Sequence, residues 1–114
     1  MNIIKTSKDL TPKEIYQLTM SPEVQKMSDA QSQIIEVESW AVYEDENSKG
    51  ELQTILAIKT PENEIFATNS ATFKEDFVKM NELFEGMGET VHAIKVTSGT
   101  SKAGRTFITC VYEN

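Results

Sequence analysis

The stretch QIIEVESWAVY, residues 33–43, decides how the rest of the chain reads. Apolar and polar side chains alternate there with a period of two. Ile35, Val37, Ser39, Ala41 and Tyr43 fall on one face of a strand, and Glu36, Glu38, Trp40 and Val42 on the other. A half-buried strand is the expected result. Further on, Asp45, Asn47, Ser48 and Gly50 make a turn, and residues 52–60 form a second strand rich in branched apolar side chains. Another turn at 61–64 leads into a short strand at 65–68. Residues 71–85 change to helical spacing: Phe73, Phe77, Met80 and Phe84 form one stripe that would seat a helix on a sheet, and Gly86 and Gly88 stop it. Residues 91–98 and 105–112 alternate again, joined by GTSKAG at 99–104, a hairpin-like connection.

Working outward to the N terminus, Thr11, Pro12 and Glu14 supply an N-cap, a proline in the first turn and an early acid, which predicts a short helix over 10–20. Ser21, Pro22 and Glu23 repeat that signal, so residues 24–30 are expected to add a helical turn or two. The whole string predicts a mainly β fold with helices. Five strands with a helix between the third and fourth fit an OB-like Greek-key barrel. The expected organisation is a helical arm at 1–32 followed by the barrel at 33–114, one structural unit. An open antiparallel sheet with a packed helix fits the same string.

The chain has 114 residues, which suits one domain. A net charge of -7 argues against nucleic acid and anionic membranes unless basic residues cluster locally. They do cluster, because residues 1–90 hold eight cations against seventeen acids whereas residues 91–114 hold three cations against one acid. No signal-like segment or long apolar run is present, which reads as cytoplasmic. One cysteine and one histidine exclude a disulfide framework and a Cys- or His-rich metal site, so no metal or cofactor is expected.

No catalytic set emerges. GTSKAGRT at 99–106 nearly matches a phosphate loop with Arg105 in the lysine position, but that motif must open a helix and a strand follows here. Asp45, Asn47, Lys49 and Gly50 resemble the start of a calcium loop, except that a cation stands at a ligand position and Leu56 at that of the closing glutamate. Glu36 and Glu38 lack an accompanying nucleophile, and Cys110 shares a face with Ile108 and Tyr112, as a core thiol would. The C-terminal hairpin is more informative. If Ile94, Val96, Ile108 and Cys110 face inward, then Lys95, Thr97, Arg105, Phe107 and Thr109 share the opposite face, with an aromatic ring between two cations. Exposed rings stack on bases and cations hold phosphates whatever the base order. Lys102 in the turn and Trp40, read onto the face of Glu36 and Glu38, extend that platform.

The segments IIEVESWAVY at 34–43, TILAIKTPENEIFATNSATF at 54–73 and IKVTSGTSKAGRTFITC at 94–110 resemble the small single-stranded DNA-binding proteins of phages of Gram-positive bacteria. The resemblance implies an OB-type fold, sequence-independent coating of single strands during phage DNA replication or recombination in the host cytoplasm, and no catalysis. It also implies aromatic contacts at Tyr43, Phe66 and Phe107 and cationic ones at Lys95, Lys102 and Arg105, to which Lys59 and Trp40 are added here. Single-stranded DNA is the expected partner, with RNA left open, and exposed sheet edges give a route to a homo-oligomer. Replication proteins are a further expected partner, though the closing Tyr-Glu-Asn does not resemble the acidic tail by which bacterial relatives recruit theirs. A second expectation is an interaction module or DNA mimic that presents Glu36, Glu38, Glu44, Asp45, Glu46 and Glu51 to a host replication or defence protein.

Overall fold

The computed structural model describes residues 1–113 as a mainly β fold with two α-helices. In chain order these are β1 (Asn2–Thr6), α1 (Pro12–Thr19), β2 (Val24–Lys26), a 3-10 turn (Met27–Ala30), β3 (Ile34–Glu36), β4 (Ser39–Glu46), β5 (Leu52–Lys59), β6 (Ile65–Thr68), α2 (Ala71–Gly86), β7 (Ala93–Thr100) and β8 (Thr106–Tyr112). One sheet has five strands in the order β1-β4-β5-β6-β2, and the other has three in the order β3-β7-β8.

The segment expected as a single strand at 33–43 divides between both sheets. The backbone N–H of Val37 donates to His92 O across 2.8 Å, while the N–H of Glu38 donates to Lys59 O across 2.9 Å. Consecutive amides therefore point one to the residue just before β7 of the smaller sheet and the other to the end of β5 in the larger, and the chain bends between them. The bend also shifts the alternation by one residue: Ile35 and Val37 pack inward before it, and Trp40 and Val42 pack inward after it. A one-residue slip reverses every later side chain, so the face assignment made from the sequence fails from Ser39 onward.

The helical arm expected at 1–32 is a second correction. It keeps α1, whose capping box joins Thr11 and Glu14, but it also contributes β1 and β2. These strands pair with β4 antiparallel and with β6 parallel, so the first 32 residues supply both borders of the five-stranded sheet. Their local signal is weak because their side chains are exposed or half-buried, and pairing to a sheet already assembled makes them strands.

Two apolar clusters follow from this layering. Trp40, Leu56, Ile58, Phe73, Phe77, Ile94 and Val96 fill the space between the sheets and α2, and Leu18 of α1 covers Ala41, Tyr43, Ala57 and Ile65 on the other side of the larger sheet. The aromatic stripe of α2 is seated as expected, with Phe73 and Phe77 fully buried and Met80 and Phe84 partly so. Asp76 of the same helix accepts the N–H of Cys110 across 3.4 Å, so α2 lies along the free edge of β8 and satisfies an amide there.

Candidate nucleic-acid interface

Half of the side chains expected to contact a strand are inside the protein. Trp40 is 2% exposed and meets Phe77 edge to face, with ring centroids 5.3 Å apart. The bend before Ser39 turned it inward. Tyr43 is buried beneath α1, where burial, followed by the Asp45 charge, raises its phenol above the ordinary range. Phe66 belongs to the main core, between the sheets. Lys59 is 7% exposed, and its ammonium is held 2.5 Å from the Glu38 carboxylate. None of these four presents a free contact surface. The pattern of residues 33–68 could not distinguish a buried ring from a stacking ring, because both β faces of the five-stranded sheet are covered.

The other four candidates, Lys95, Lys102, Arg105 and Phe107, gather on the C-terminal hairpin. In the β7/β8 register, Lys95 lies opposite Val111, Thr97 opposite Thr109 and Gly99 opposite Phe107. Intervening pairs such as Val96 with Cys110 point into the core. The first set therefore forms the outer face of the three-stranded sheet, as the alternation of residues 91–112 predicts. Thr97 and Thr109 are joined through their hydroxyls in the middle of this face.

Phe107 is half-buried because its ring covers the backbone of Gly99 on the neighbouring strand: a Cβ built at Gly99 would stand 2.8 Å from Phe107 Cζ. The missing side chain lets the ring lie across the sheet and fixes its position. At the tip, Gly104 at φ +82° donates its N–H to Ser101 O, and Ser101 and Arg105 close the loop through Ser101 N to Arg105 O at 2.8 Å. Arg105 N–H also donates to the Ser101 hydroxyl. Lys102 and Arg105 are thereby exposed at the end of a hydrogen-bonded turn.

One carboxylate shares the outer face of the smaller sheet: Glu36 of β3 alternates with buried Ile35 and is exposed beside Ile34, the residue opposite Lys95. The ion pairs among the described residues are Lys5 with Glu82 and Lys59 with Glu38, which leaves Lys95, Lys102 and Arg105 without a carboxylate partner. The same face carries two apolar residues that sequence reading missed, Ile34 (55% exposed) and Val111 (42% exposed). The signal for Val111 lies in the alternation of β8. Ile34 had none, because it joins this face only through the pairing of β3 with β7, where it stands opposite Lys95. The acidic residues Glu44, Asp45, Glu46 and Glu51 lie elsewhere, on the β4/β5 hairpin whose turn Asn47 caps by accepting the N–H groups of Lys49 and Glu51.

Among the described residues no group of three or more His, Cys, Asp or Glu is placed to hold a metal ion, and no helix is long and apolar enough to cross a membrane. No family model, curated protein or solved structure matches the chain.

Proposed function

We propose that the protein binds single-stranded DNA without sequence preference, through the outer face and tip of the β7/β8 hairpin, in a role such as strand protection during phage replication or recombination. The observation that carries this reading is the convergence of three unpaired cations and one half-exposed ring, Lys95, Lys102, Arg105 and Phe107, on one hydrogen-bonded hairpin of an otherwise acidic chain. Backbone phosphates would take the cations, and a base would stack on Phe107 or slide against Ile34 and Val111. The contact is smaller than the eight-residue surface read from sequence, since Trp40, Tyr43, Lys59 and Phe66 are committed to the interior.

The OB-like reading takes support from the chain path, in which the segment bent at Val37 and Glu38 runs from one sheet into the other and α2 lies between β6 and β7; against the expected five-stranded barrel, the described residues form sheets of five and three strands, and β8 pairs with β7 alone, so no β6–β8 pair closes it. The proposed role needs neither a cofactor nor bond-making chemistry.

Anisotropy of a labelled oligo-dT, titrated with the protein at low salt and with duplex as competitor, tests the reading. Trp40 is a poor reporter here because it is buried. The expected result is single-strand binding that the double variant Arg105→Ala with Phe107→Ala abolishes while circular dichroism stays native. Binding by that variant equal to the parent, or none by the parent at low salt, overturns the proposal. The second outcome favours a protein partner for the acidic β4/β5 hairpin.

A further inference from the structure

A cavity of about 260 Å³ opens where the two sheets diverge, far along β7 from the hairpin tip and bounded by the β1-to-α1 connection, the bend before β4, the last turns of α2 and the segment leading into β7. That is room for roughly nine waters, or for one small organic molecule. Its apolar wall is Val37, Trp40 and Val91, and its polar groups include Asn81, Glu85 and, at the rim, Lys8.

Asn81 is the informative residue. It is 5% exposed, on a helix face otherwise given to phenylalanines. Its amide nitrogen donates to Phe77 O across 2.8 Å. A carbonyl can only accept, so the nitrogen must be the group facing it and the amide oxygen is the group left over. That oxygen accepts no hydrogen bond among the described residues, yet it is not sealed in protein: Ser39 Oγ is the sole fully enclosed side-chain polar atom there that lacks a partner. The Asn81 oxygen therefore looks into the cavity as an unused acceptor. An accessible amide oxygen in an apolar-walled cavity can accept from a ligand that carries donors. Glu85 adds a carboxylate that has no ion pair, whereas the neighbouring Glu38 is already engaged by Lys59.

An acceptor at depth, an unengaged carboxylate and an indole-and-valine wall are complementary to a cation that carries hydrogen-bond donors on an apolar stem. We propose that this cavity binds a primary ammonium on a short apolar body, with the ammonium donating to the Asn81 oxygen and Glu85 and the body lying against Trp40, Val37 and Val91. The net charge of -7 draws cations toward the molecule. Two sources share this chemistry, a simple amine and a free α-amino acid whose carboxylate would meet Lys8. The site is separate from the hairpin, so its fate is independent of single-strand binding.

Trp40 is the only tryptophan, and its emission reports on the cavity directly. Titrations of the intact protein with isoamylamine, leucine and isocaproate compare one isobutyl body bearing an ammonium, both charges or a carboxylate alone. Saturable emission changes are expected with isoamylamine, leucine or both, weakened about threefold to fivefold in Glu85→Gln, as loss of a contact to an exposed carboxylate implies, and abolished in Asn81→Leu. Glu85 is exposed, so the first variant keeps the test valid if the second fails to fold. Weakening of leucine alone in Lys8→Gln assigns the amino-acid source; weaker binding of leucine than of isoamylamine in the parent assigns the amine. Isocaproate binding as well as the ammonium probes, unchanged affinity in Glu85→Gln, or no saturable response to any probe overturns the proposal.

Discussion

The ammonium of Lys59 and the carboxylate of Glu38 lie 2.5 Å apart, with side chains 8% and 40% exposed. Removing the half-exposed partner leaves a buried charge uncompensated, whereas removing the buried one returns Glu38 to water. Glu38→Gln is therefore expected to cost about 2 kcal/mol and Lys59→Met under about 1 kcal/mol, an order that urea midpoints of the two variants check. Cys110 offers a second residue-level test. Burial, and after it the Asp76 carboxylate, pushes its thiol up to about 12. The unfolded thiol releases its proton near its ordinary value of 9.0, while the folded one retains it, so folding is disfavoured as pH rises from there toward about 12. The slope approaches about 1.4 kcal/mol per pH unit. Urea midpoints of the parent are expected to fall more steeply between about pH 8 and 10 than those of Cys110→Ala, and parallel curves would contradict the assignment.

At the level of elements, α1 depends on its start. Thr11 Oγ1 accepts the Glu14 N–H, and Glu14 Oε1 accepts the Thr11 N–H across 3.1 Å. That backbone hydrogen bond is the main cause holding the Glu14 carboxyl below its ordinary range. The cap is complete above the usual carboxylate range and weakens as pH falls through it. Thr11→Ala is expected to lower stability by about 1 kcal/mol, seen as a lower thermal midpoint, because α1 is the cover over the Leu18 cluster. In the β7/β8 hairpin the corresponding element-level device is Gly99. A methyl group there collides with the Phe107 ring at 2.8 Å, so Gly99→Ala is expected to displace the ring and weaken oligo-dT binding several-fold while leaving the cations in place. Ring resonances of Phe107 and DNA anisotropy check it together. Strands β7 and β8 and helix α2 were legible in the sequence because each buries one face or stripe and so carries its own period, and β4 to β6, covered on both faces, from runs of branched and aromatic side chains between turn residues. β1 and β2 were not, since their residues bury little and only their partners make them strands.

For the whole molecule, polarity of charge along the chain becomes polarity in space: the cations of the last 24 residues occupy the smaller sheet and its hairpin, while Glu44, Asp45, Glu46 and Glu51 border the larger one. The proposed single-strand binding through Lys95, Lys102 and Arg105 would neutralise about three phosphates, so log affinity against log salt is expected to fall with a slope near -2. A slope near zero would remove the electrostatic half of the proposed contact. Local pattern determined the β-rich class, the positions of the long strands, the seating of α2 and the outward face of the C-terminal hairpin, because each rests on a period of two or 3.6, or on a run of branched and aromatic side chains, within one segment. Tertiary structure alone decided that Trp40, Tyr43, Phe66 and Lys59 are interior, that Ile34 joins Lys95 and Val111, and that Asn81 turns an unused oxygen into a cavity. The physical reason is shared: a one-residue slip at the Val37–Glu38 bend, and the covering of both faces of one sheet, depend on which distant segments meet.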